Sequence, residues 1–197
     1  MSQIIIEAMK IPQPPHLILI NGLPCTGKTS LGLKIAGQFT LPFIYKDGVK
    51  ELLFDTFGWR DREWSKKLSQ ASYDLLFYFA EAELSVRRSL VMEANFSSDL
   101  HTNCFLELKE RCPYKPIQVL CLTQGNILLE RFARRAERSD RHPGHLDARN
   151  LDEFKPIFLT NQHLPLEIGG AHIPVDTTDF DQIDYPGLYQ KLSTIMT

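Results

Sequence analysis

The sequence predicts an α/β protein with five parallel strands in one sheet and helices packed on both faces. Three observations support this class. Short apolar runs alternate with longer segments in which apolar residues recur every three or four positions. The first runs are apolar throughout, which is typical of strands buried on both faces. A glycine-rich loop follows the first run, and sheets of this kind bind ligands at the carboxyl ends of their strands.

The strands are predicted from the short apolar runs bounded by turn residues. In chain order these runs are HLILI at 16–20, LPFIY at 41–45, SLVMEANF at 89–96, KPIQVLCLT at 115–123 and HIPVDTT at 172–178. Before the first strand, the segment PQPP ends a loose N-terminal arm over residues 1–15. A chain of 197 residues suits one domain, so we expect 1–197 to fold as a single unit.

The helices are predicted from the three- and four-residue spacing of apolar residues. The longest covers 64–88. Gly58 ends the helix before it, and Pro113 stops the helix that follows the third strand. The predicted helices are 28–38, 47–58, 64–88, 98–111, 125–140, 151–159 and the last dozen residues.

The composition is that of an ordinary globular protein, with 43% hydrophobic and 23% charged residues and a formal net charge of -2. This charge does not point to nucleic acid or an anionic membrane as a partner. No apolar stretch approaches the roughly 20 residues of a membrane-spanning helix. The four cysteines lack CxxC spacing and are expected to be reduced thiols, so we predict a soluble cytoplasmic protein. Cys25, in the glycine-rich loop, is either a small residue that fits the turn or an oxidisable thiol.

The glycine-rich loop, GLPCTGKT at 22–29, fits the pattern G-x-x-x-x-G-K-[ST] at every fixed position. Glycines let the backbone wrap closely, so that its amide groups and the following helix N-terminus bind phosphate. Lys28 is expected to contact the β- and γ-phosphates, and the Thr29 hydroxyl to bind Mg²⁺. The alternative is a glycine-rich turn with an incidental lysine. The predicted phosphate-binding residues are Gly22, Leu23, Pro24, Cys25, Thr26, Gly27, Lys28, Thr29 and Ser30.

Asp47 directly follows the second predicted strand, at the ligand end of the sheet. A carboxylate there is suited to accept the proton of a substrate hydroxyl that attacks the γ-phosphate. The alternative is a helix N-cap, because GVKELLF follows it and aspartate is a favoured cap. The two roles are compatible, and we predict Asp47 as the catalytic base.

Glu93 ends the third apolar run. An acid at the end of a buried strand is costly unless it has a partner. We predict that Glu93 holds Mg²⁺ directly or through water, as the acid at this position does in phosphate-loop enzymes, or helps to position the substrate. An ordinary strand-end acid in a salt bridge is the alternative.

Arginines crowd the segment ERFARRAERSDRHPGHLD, which lies in a predicted lid over 125–150. The guanidinium fork suits phosphate oxygens, and a closing lid excludes water from the transfer. We assign Arg131 and Arg134 to nucleotide binding, and Arg135 and Arg138 to the transferring phosphoryl group. The alternatives are a solvated helix face paired with acids and a nucleic-acid patch. The arginines are Arg131, Arg134, Arg135, Arg138 and Arg141.

Three further features carry weaker signals. His142 and His145 lack a third metal ligand nearby, so they are expected to shape the lid loop or touch substrate. Thr177 and Thr178 follow the fifth strand, and Thr177 is predicted to lie beside adenine, with a turn role as the alternative. The aromatic stretch at 54–64 is expected to pack the core, to line a substrate pocket or to form a partner surface.

The chain resembles small P-loop kinases of the nucleoside-monophosphate-kinase type. Within that group it is most similar to the predicted kinases, or AAA-domain ATP-binding proteins. Chloramphenicol phosphotransferase, gluconate and shikimate kinases, zeta toxins and polynucleotide 5′-kinases are more distant. The resemblance runs from about residue 16 to 196 and is carried by NGLPCTGKTSL, YKDGVKELL, LVMEANF, RFARRAERSDRHPGH and PVDTTDF.

This resemblance implies a three-layer P-loop NTPase fold with strand order 2-3-1-4-5 and a helical lid after the fourth strand. It also implies ATP and Mg²⁺ at Lys28 and Thr29 and a substrate-facing carboxylate at Asp47. Arg134, Arg135 and Arg138 become candidate lid arginines. Glu93 stands where the group commonly has aspartate.

The leading functional hypothesis is therefore an ATP-dependent phosphotransferase that acts on a hydroxyl of a small-molecule acceptor. Asp47 would be the base, and Lys28, Mg²⁺ and the lid arginines would stabilise the transferring phosphoryl group. Two alternatives stay open. One is a polynucleotide 5′-hydroxyl kinase, although no basic run extends beyond the lid. The other is a nucleotide-binding switch or regulatory ATPase whose output is the conformation of a partner.

Overall fold

A computed structural model describes residues 13–137, 141–146, 151–160 and 164–197. Most of the predicted N-terminal arm, parts of the predicted lid and Arg138 lie outside these ranges. Every strand and the elements that carry the other predicted site residues lie inside them.

The five strands form one parallel sheet in the order β2-β3-β1-β4-β5. Every neighbouring pair is parallel. The predicted fold class and strand order are both confirmed. The strands are β1 His16–Gly22, β2 Phe43–Tyr45, β3 Leu90–Glu93, β4 Lys115–Leu122 and β5 Ala171–Asp176.

Seven α-helices lie within the described residues, and each corresponds to a helix predicted from the sequence. Most boundaries agree to within a few residues. The fifth helix ends at Ala136, before the predicted end at 140, and residues 138–140 are outside the described part. The helices are α1 Lys28–Phe39, α2 Lys46–Phe57, α3 Arg62–Ser85, α4 Ser98–Arg111, α5 Gly125–Ala136, α6 Leu151–Thr160 and α7 Tyr185–Met196.

The core lies on both faces of the sheet, because alternate residues of a buried strand point in opposite directions. From β1, Leu17 and Leu19 join a cluster with residues of α3 and α4, whereas Ile18 and Ile20 join a cluster with residues of α1 and α7. All four side chains are fully buried. This burial explains why the run HLILI is apolar throughout instead of alternating.

The parallel arrangement brings the carboxyl ends of the strands to one edge of the sheet. Gly22 ends β1 there, Glu93 ends β3, and α2 begins directly after β2. The register pairs Ile20 of β1 with Glu93 of β3, and Tyr45 of β2 with Glu93 as well. The residues that the sequence marks for chemistry therefore meet at this edge.

Candidate active site

The loop between β1 and α1 has a backbone that requires its glycines. Gly22 has φ +150° and Gly27 has φ +81°. A Cβ on Gly22 would lie 2.6 Å from the Cys121 carbonyl oxygen, and one on Gly27 would lie 2.5 Å from Cε1 of Phe180. The contact at Gly22 is with backbone and excludes a side chain, whereas at Gly27 the positive φ is what disfavours one, because the Phe180 ring can move. This close wrapping is the geometry by which backbone amides bind phosphate.

Lys28 is the first residue of α1 and is almost fully buried. Its Nζ donates a hydrogen bond to the Leu23 carbonyl oxygen at 2.8 Å. Burial lowers the pKa of Lys28, and the nearby Glu93 carboxylate partly opposes this effect. The ammonium group thus lies across the loop, where phosphate oxygens would be its strongest partners.

Thr29 and Glu93 join the phosphate loop to the end of β3. The Thr29 hydroxyl donates to Oε2 of Glu93 at 2.7 Å. Burial raises the pKa of Glu93, whereas Lys28 and the Thr29 hydrogen bond oppose that rise. The pair presents a hydroxyl and a carboxyl oxygen side by side, which are the ligand types that Mg²⁺ prefers. The described residues include no group of three or more His, Cys, Asp or Glu that would hold a metal by themselves.

Asp47 lies in the first turn of α2, which begins at Lys46. The N-cap residue is Tyr45, so the alternative in which Asp47 caps the helix is wrong: the helix starts two residues earlier than that role requires. Lys46 Nζ lies 3.4 Å from Oδ1 of Asp47, and Arg141 Nη2 lies 3.2 Å from Oδ2. Burial favours a raised pKa for Asp47, but Lys46, His145 and Arg141 outweigh it and hold the pKa well below its usual range.

Arg141 also donates from Nη1 to Oε1 of Glu51, at 3.2 Å. The same carboxylate oxygen lies 2.8 Å from His145 Nε2. Glu51 follows Asp47 by one helical turn, so both carboxylates lie on one face of α2. Residues 141–145, which we call the RHPGH segment, are therefore anchored to α2 by charge.

Aromatic packing supports the same contact. The His142 ring stacks on Phe54 with centroids 5.0 Å apart and an interplanar angle of 13°. His145 meets the Phe54 ring edge-on at 5.5 Å. A Cβ on Gly144 would lie 2.7 Å from Cδ2 of Phe54, so the segment requires glycine there. The two histidines shape the RHPGH segment, which lies in the predicted lid, and shaping this loop is one of the roles that the sequence left open.

Of the aromatic stretch at 54–64, Phe54 alone among its phenylalanines is buried, and Phe57 and Trp59 are exposed. Glu51 and Asp55 are residues of the RHPGH interface to which sequence reasoning gave no role, and Phe54, which it expected to pack the core, to line a substrate pocket or to form a partner surface, is a third. Asp55 accepts from His142 Nε2 at 3.2 Å. The sequence pattern that could have identified these residues is their spacing, which places them on one face of α2.

Arg131 connects α5 to the end of β5. It donates from Nη1 to the Thr177 carbonyl at 2.9 Å and from Nη2 to the Thr178 carbonyl at 2.7 Å. Its guanidinium group lies 3.8 Å from the centroid of the Phe180 ring. Thr177 itself is buried, and its hydroxyl lies 2.6 Å from that of Thr123. Its carbonyl, not its side chain, faces the arginine.

The other arginines of α5 differ in their surroundings. Arg134 is largely exposed and pairs with Glu130 one turn earlier. Arg135 lines the cleft described below, and its guanidinium group lies 5.2 Å from the centroid of the Phe132 ring. Arg138 lies outside the described residues.

Lys50 is a buried lysine that sequence reasoning did not single out. Its Nζ donates to the Ser65 hydroxyl at 2.9 Å, and Ser65 in turn donates to the Gly144 carbonyl at 3.1 Å. Burial, with Lys46 as the next cause, lowers the pKa of Lys50 to about 7. A lysine of this kind at the wall of a cleft is a candidate functional residue.

These residues surround one cleft of about 1030 Å³. Its size exceeds what a single drug-sized ligand needs, so it has room for a nucleotide and a second small molecule. The phosphate loop forms one end, α2 and α3 form the other, and α5 lies between them. The predicted site residues that line it are Pro24, Cys25, Gly27, Lys28, Thr29, Ser30, Asp47, Glu93, Arg131, Arg134 and Arg135.

Residues 17–158 match the sequence model of a family described as AAA domain. The chain belongs to this AAA domain family. This AAA domain has the fold of P-loop kinases, as the resemblance in its sequence implied. No curated protein matches its sequence.

Solved structures resemble this AAA domain at two levels. A candidate kinase from Chloroflexus aurantiacus J-10-fl is 36% identical, with a TM-score of 0.86 over 94% of this chain and 100% of that chain. A sugar kinase from Janibacter sp. HTCC2649 is 14% identical, with a TM-score of 0.56 over 93% of this chain and 94% of that one. A chain of the PezAT toxin-antitoxin system of Streptococcus pneumoniae is 16% identical, with a TM-score of 0.54 over 88% and 71%. The last two show a shared fold.

A helix that spans a bilayer needs about 20 predominantly apolar residues in a row. None of the described helices of this AAA domain is long and apolar enough to span a membrane.

Proposed function

We propose that this AAA domain is an ATP-dependent phosphotransferase that moves the γ-phosphoryl group to a hydroxyl of a small-molecule acceptor. The observation that carries the proposal is that the phosphate loop and Asp47 line the same cleft. A switch or regulatory ATPase needs a phosphate loop, but it does not need a carboxylate that faces an acceptor. The 36% identity to a candidate kinase is consistent with the proposal.

The nucleotide would bind at the phosphate-loop end of the cleft. Backbone amides of the loop and the start of α1 would receive the phosphates, and Lys28 would exchange the Leu23 carbonyl for phosphate oxygens. Arg131 would lie beside the adenine, because it lines the cleft and is held against the carbonyls that follow β5, whereas Thr177 is fully buried and would support Arg131 through its carbonyl oxygen. Arg134 and Arg135 extend the cationic wall from there along α5.

Thr29 and Glu93 fit a Mg²⁺ ion, because their adjacent oxygens join the loop to the end of β3. A Mg²⁺ ion held there would supply neutralisation of the charge that develops on the phosphate oxygens. The protein's own part is to hold the two oxygens in place. The buried Glu93 carboxyl, whose pKa burial raises, would become fully ionised beside a cation.

In the transfer, the acceptor oxygen forms a bond to the γ-phosphorus while the bond from that phosphorus to the β–γ bridging oxygen breaks. ADP leaves, and the hydroxyl proton passes to Asp47 and then to solvent. The low pKa of Asp47 makes it a weak base, so its main task is to orient the hydroxyl by accepting its hydrogen bond. A loose transition state is compatible with this, because the proton then moves late.

The lid would close the cleft from above. Arg141, between Asp47 and Glu51, places a cation beside the oxygen that attacks, and the RHPGH segment covers α2. Exclusion of water directs the phosphoryl group to the acceptor and suppresses hydrolysis.

The test is ATP consumption with Mg²⁺ across a panel of acceptors, with Lys28→Ala as the blank. The panel contains sugars, sugar phosphates, nucleosides, aminoglycosides, chloramphenicol and 5′-hydroxyl oligonucleotides. A rate that rises with one class of hydroxyl compound and is absent in the variant is the expected result. Tight ATP binding with slow hydrolysis that no acceptor accelerates would overturn the proposal.

A further inference from the structure

The acceptor end of the cleft has a wall that the transfer reaction does not by itself require. On α3, Arg62, Lys66, Ser69 and Tyr73 all line the cleft. They are spaced by four, three and four residues, so they form one stripe along the helix. Across from them, α2 contributes Lys50. We call this set of residues the α3 wall.

The charges at this end do not balance. Among the described residues of α2, α3 and the RHPGH segment that line the cleft, five are cationic and one, Asp47, is a carboxylate. The cations are Lys46, Lys50, Arg62, Lys66 and Arg141. His145 also lines the cleft, but burial lowers its pKa and favours the neutral ring.

The available carboxylates are shared unevenly among these cations. Lys46 and Arg141 both lie against Asp47, and Arg141 also contacts Glu51. Lys66 lies 3.6 Å from Glu63, but both side chains are more than half exposed, so solvent screens the pair. Lys50 donates its hydrogen bond to the neutral Ser65 hydroxyl. Of these cations, Lys50 and Lys66 are therefore the two whose described contacts compensate their charge least.

The lowered pKa of Lys50 also reflects the cations that surround it. Burial is the first cause of its lowered pKa, and Lys46, Arg62 and Arg141 all lower it further. Asp47 opposes them but does not restore the ordinary value. A buried ammonium group surrounded by other cations gains strongly from an anionic ligand, because that ligand compensates both burial and repulsion.

We propose that the acceptor carries a phosphate monoester, bound by Lys50, Arg62 and Lys66, in addition to the hydroxyl that faces Asp47. The inference rests on the proposed function and names its substrate class. A dianionic group suits three cations better than a single carboxylate, and the guanidinium fork matches phosphate oxygens. The Ser69 hydroxyl adds a neutral donor on the same stripe.

The dimensions suit a small phosphorylated metabolite. Tyr73, at the inner end of the stripe, donates to the Asn95 carbonyl at 3.0 Å, just after β3 and beside the transfer site. Lys66 is two turns earlier on α3, a rise of about 10 Å. The hydroxyl and the phosphate of the acceptor would therefore lie at opposite ends of an extended molecule, such as a sugar phosphate.

The first experiment measures binding without turnover. The protein is saturated with Mg²⁺ and a non-hydrolysable ATP analogue, which occupies the phosphate loop, and is then titrated calorimetrically with methyl phosphate or acetate. Methyl phosphate should bind more tightly than acetate. Its affinity should fall at least about tenfold in Arg62→Gln/Lys66→Gln, because hydrogen bonds to charged groups are lost. Lys67→Gln, an exposed change on the same helix, should bind as the wild type does.

Three results would overturn the proposal: methyl phosphate binds only when the analogue is absent, acetate binds equally well, or the double variant binds normally. Thermal melting of the double variant checks that it folds. The kinetic arm compares glycerol with glycerol 3-phosphate and ribose with ribose 5-phosphate. If methyl phosphate binds at the α3 wall but no hydroxyl acceptor is phosphorylated, the proposed function fails while the anion site stands.

Discussion

Arg141 donates from Nη2 to Oδ2 of Asp47 at 3.2 Å, across 94 residues of sequence. The contact joins the RHPGH segment to the carboxylate that we propose faces the acceptor hydroxyl. The second branch of the guanidinium group contacts Glu51 one turn further along α2. The position of the RHPGH segment and the position of the Asp47 carboxylate are thereby coupled through one side chain.

We expect Glu51→Ala to weaken this coupling without affecting the nucleotide end. The variant removes the carboxylate shared by Arg141 and His145, so the RHPGH segment loses two of its contacts with α2 and keeps the Arg141–Asp47 pair. The transfer rate should fall by about 10²-fold, the scale expected for misplaced catalytic groups. Hydrolysis of ATP relative to transfer should rise, because water enters. Product analysis for free phosphate and phosphorylated acceptor measures both.

The matched control for Glu51→Ala is Glu81→Ala. Glu81 also pairs with an arginine, Arg111, but that pair lies on an exposed surface of α3 and α4. An exposed pair contributes little, so the control should retain activity. Equal losses in the two variants, or an unchanged ratio of hydrolysis to transfer in Glu51→Ala, would contradict the coupling.

Asp47→Asn should retain nucleotide binding and lose transfer by about 10²–10⁴-fold, the range for a positioned proton acceptor. Burial opposes ionisation of Asp47, but Lys46, His145 and Arg141 keep its pKa below the ordinary value of 3.8. The wild-type rate should therefore show no loss from Asp47 protonation between pH 8 and about pH 4. Its ion pairs likewise stabilise the fold above that pH and are lost only as the pH falls through the lowered pKa. A fully active Asp47→Asn would exclude the role.

The fold could be predicted well from the sequence because its signals are local. HLILI is apolar throughout since both faces of β1 are covered, and the spacing of α3 residues marks one long helix. The strand order came from the resemblance to P-loop kinases, not from periodicity. The boundary at Lys46 was harder to predict, because whether Asp47 caps the helix or lies in its first turn depends on a shift of two residues in the helix start.

The site could be predicted only where chemistry follows a contiguous motif. Lys28 and Thr29 lie in such a motif, whereas Glu51 and Lys50 gain their meaning from contacts with residues far along the chain. Glu51 meets Arg141 across 90 residues, and Lys50 meets Ser65 on another helix. Arg141 itself was noted as one of a cluster, but its partners on α2 are tertiary and leave no local pattern.

Lys28→Met should lower the transfer rate by about 10²–10³-fold or more. The variant should be at least as stable as the wild type. Burial disfavours the charge on Lys28, and methionine fills a similar volume without it. The Leu23 carbonyl keeps a partner, because the Thr26 hydroxyl also donates to it at 2.9 Å. Thermal melting and the acceptor assay together check this. A large fall in melting temperature would show that Lys28 is needed for structure.

Glu93→Gln should weaken the dependence of nucleotide binding on Mg²⁺, raising the half-saturating concentration by about 10–100-fold. The amide oxygen can still accept from Thr29, so the loop keeps its contact with β3. Burial raises the pKa of Glu93 above 4.5, so the wild type loses stability as the pH rises from 4.5 through that pKa. The variant should lack this loss. Mg²⁺ titrations and melting curves against pH measure the two effects, and an unchanged Mg²⁺ dependence would exclude Glu93 from the metal site.

Lys50→Met should stabilise the protein while it weakens acceptor binding. In the folded wild type the pKa of Lys50 is about 7, compared with 10.5 for an unperturbed lysine. The unfolded chain therefore binds more protons between these values, and wild-type stability should rise as the pH increases from about 7 to 10.5. Methionine has no proton to lose, so the variant should lack this rise.

The gain from Lys50→Met should be largest at pH 6, where the buried lysine is charged, with a melting temperature higher by about 3 °C or more. Ser65 keeps its hydrogen bond to the Gly144 carbonyl, so α3 stays joined to the RHPGH segment. Methyl phosphate should bind at least about tenfold more weakly, because one cation of the α3 wall is gone. Lys67→Met, exposed on α3, is the control for both readouts. If Lys50 binds the phosphate, its replacement should raise the stability of the protein and lower its phosphate affinity together. A stabilised variant with normal phosphate affinity would therefore show that Lys50 does not contact the ligand.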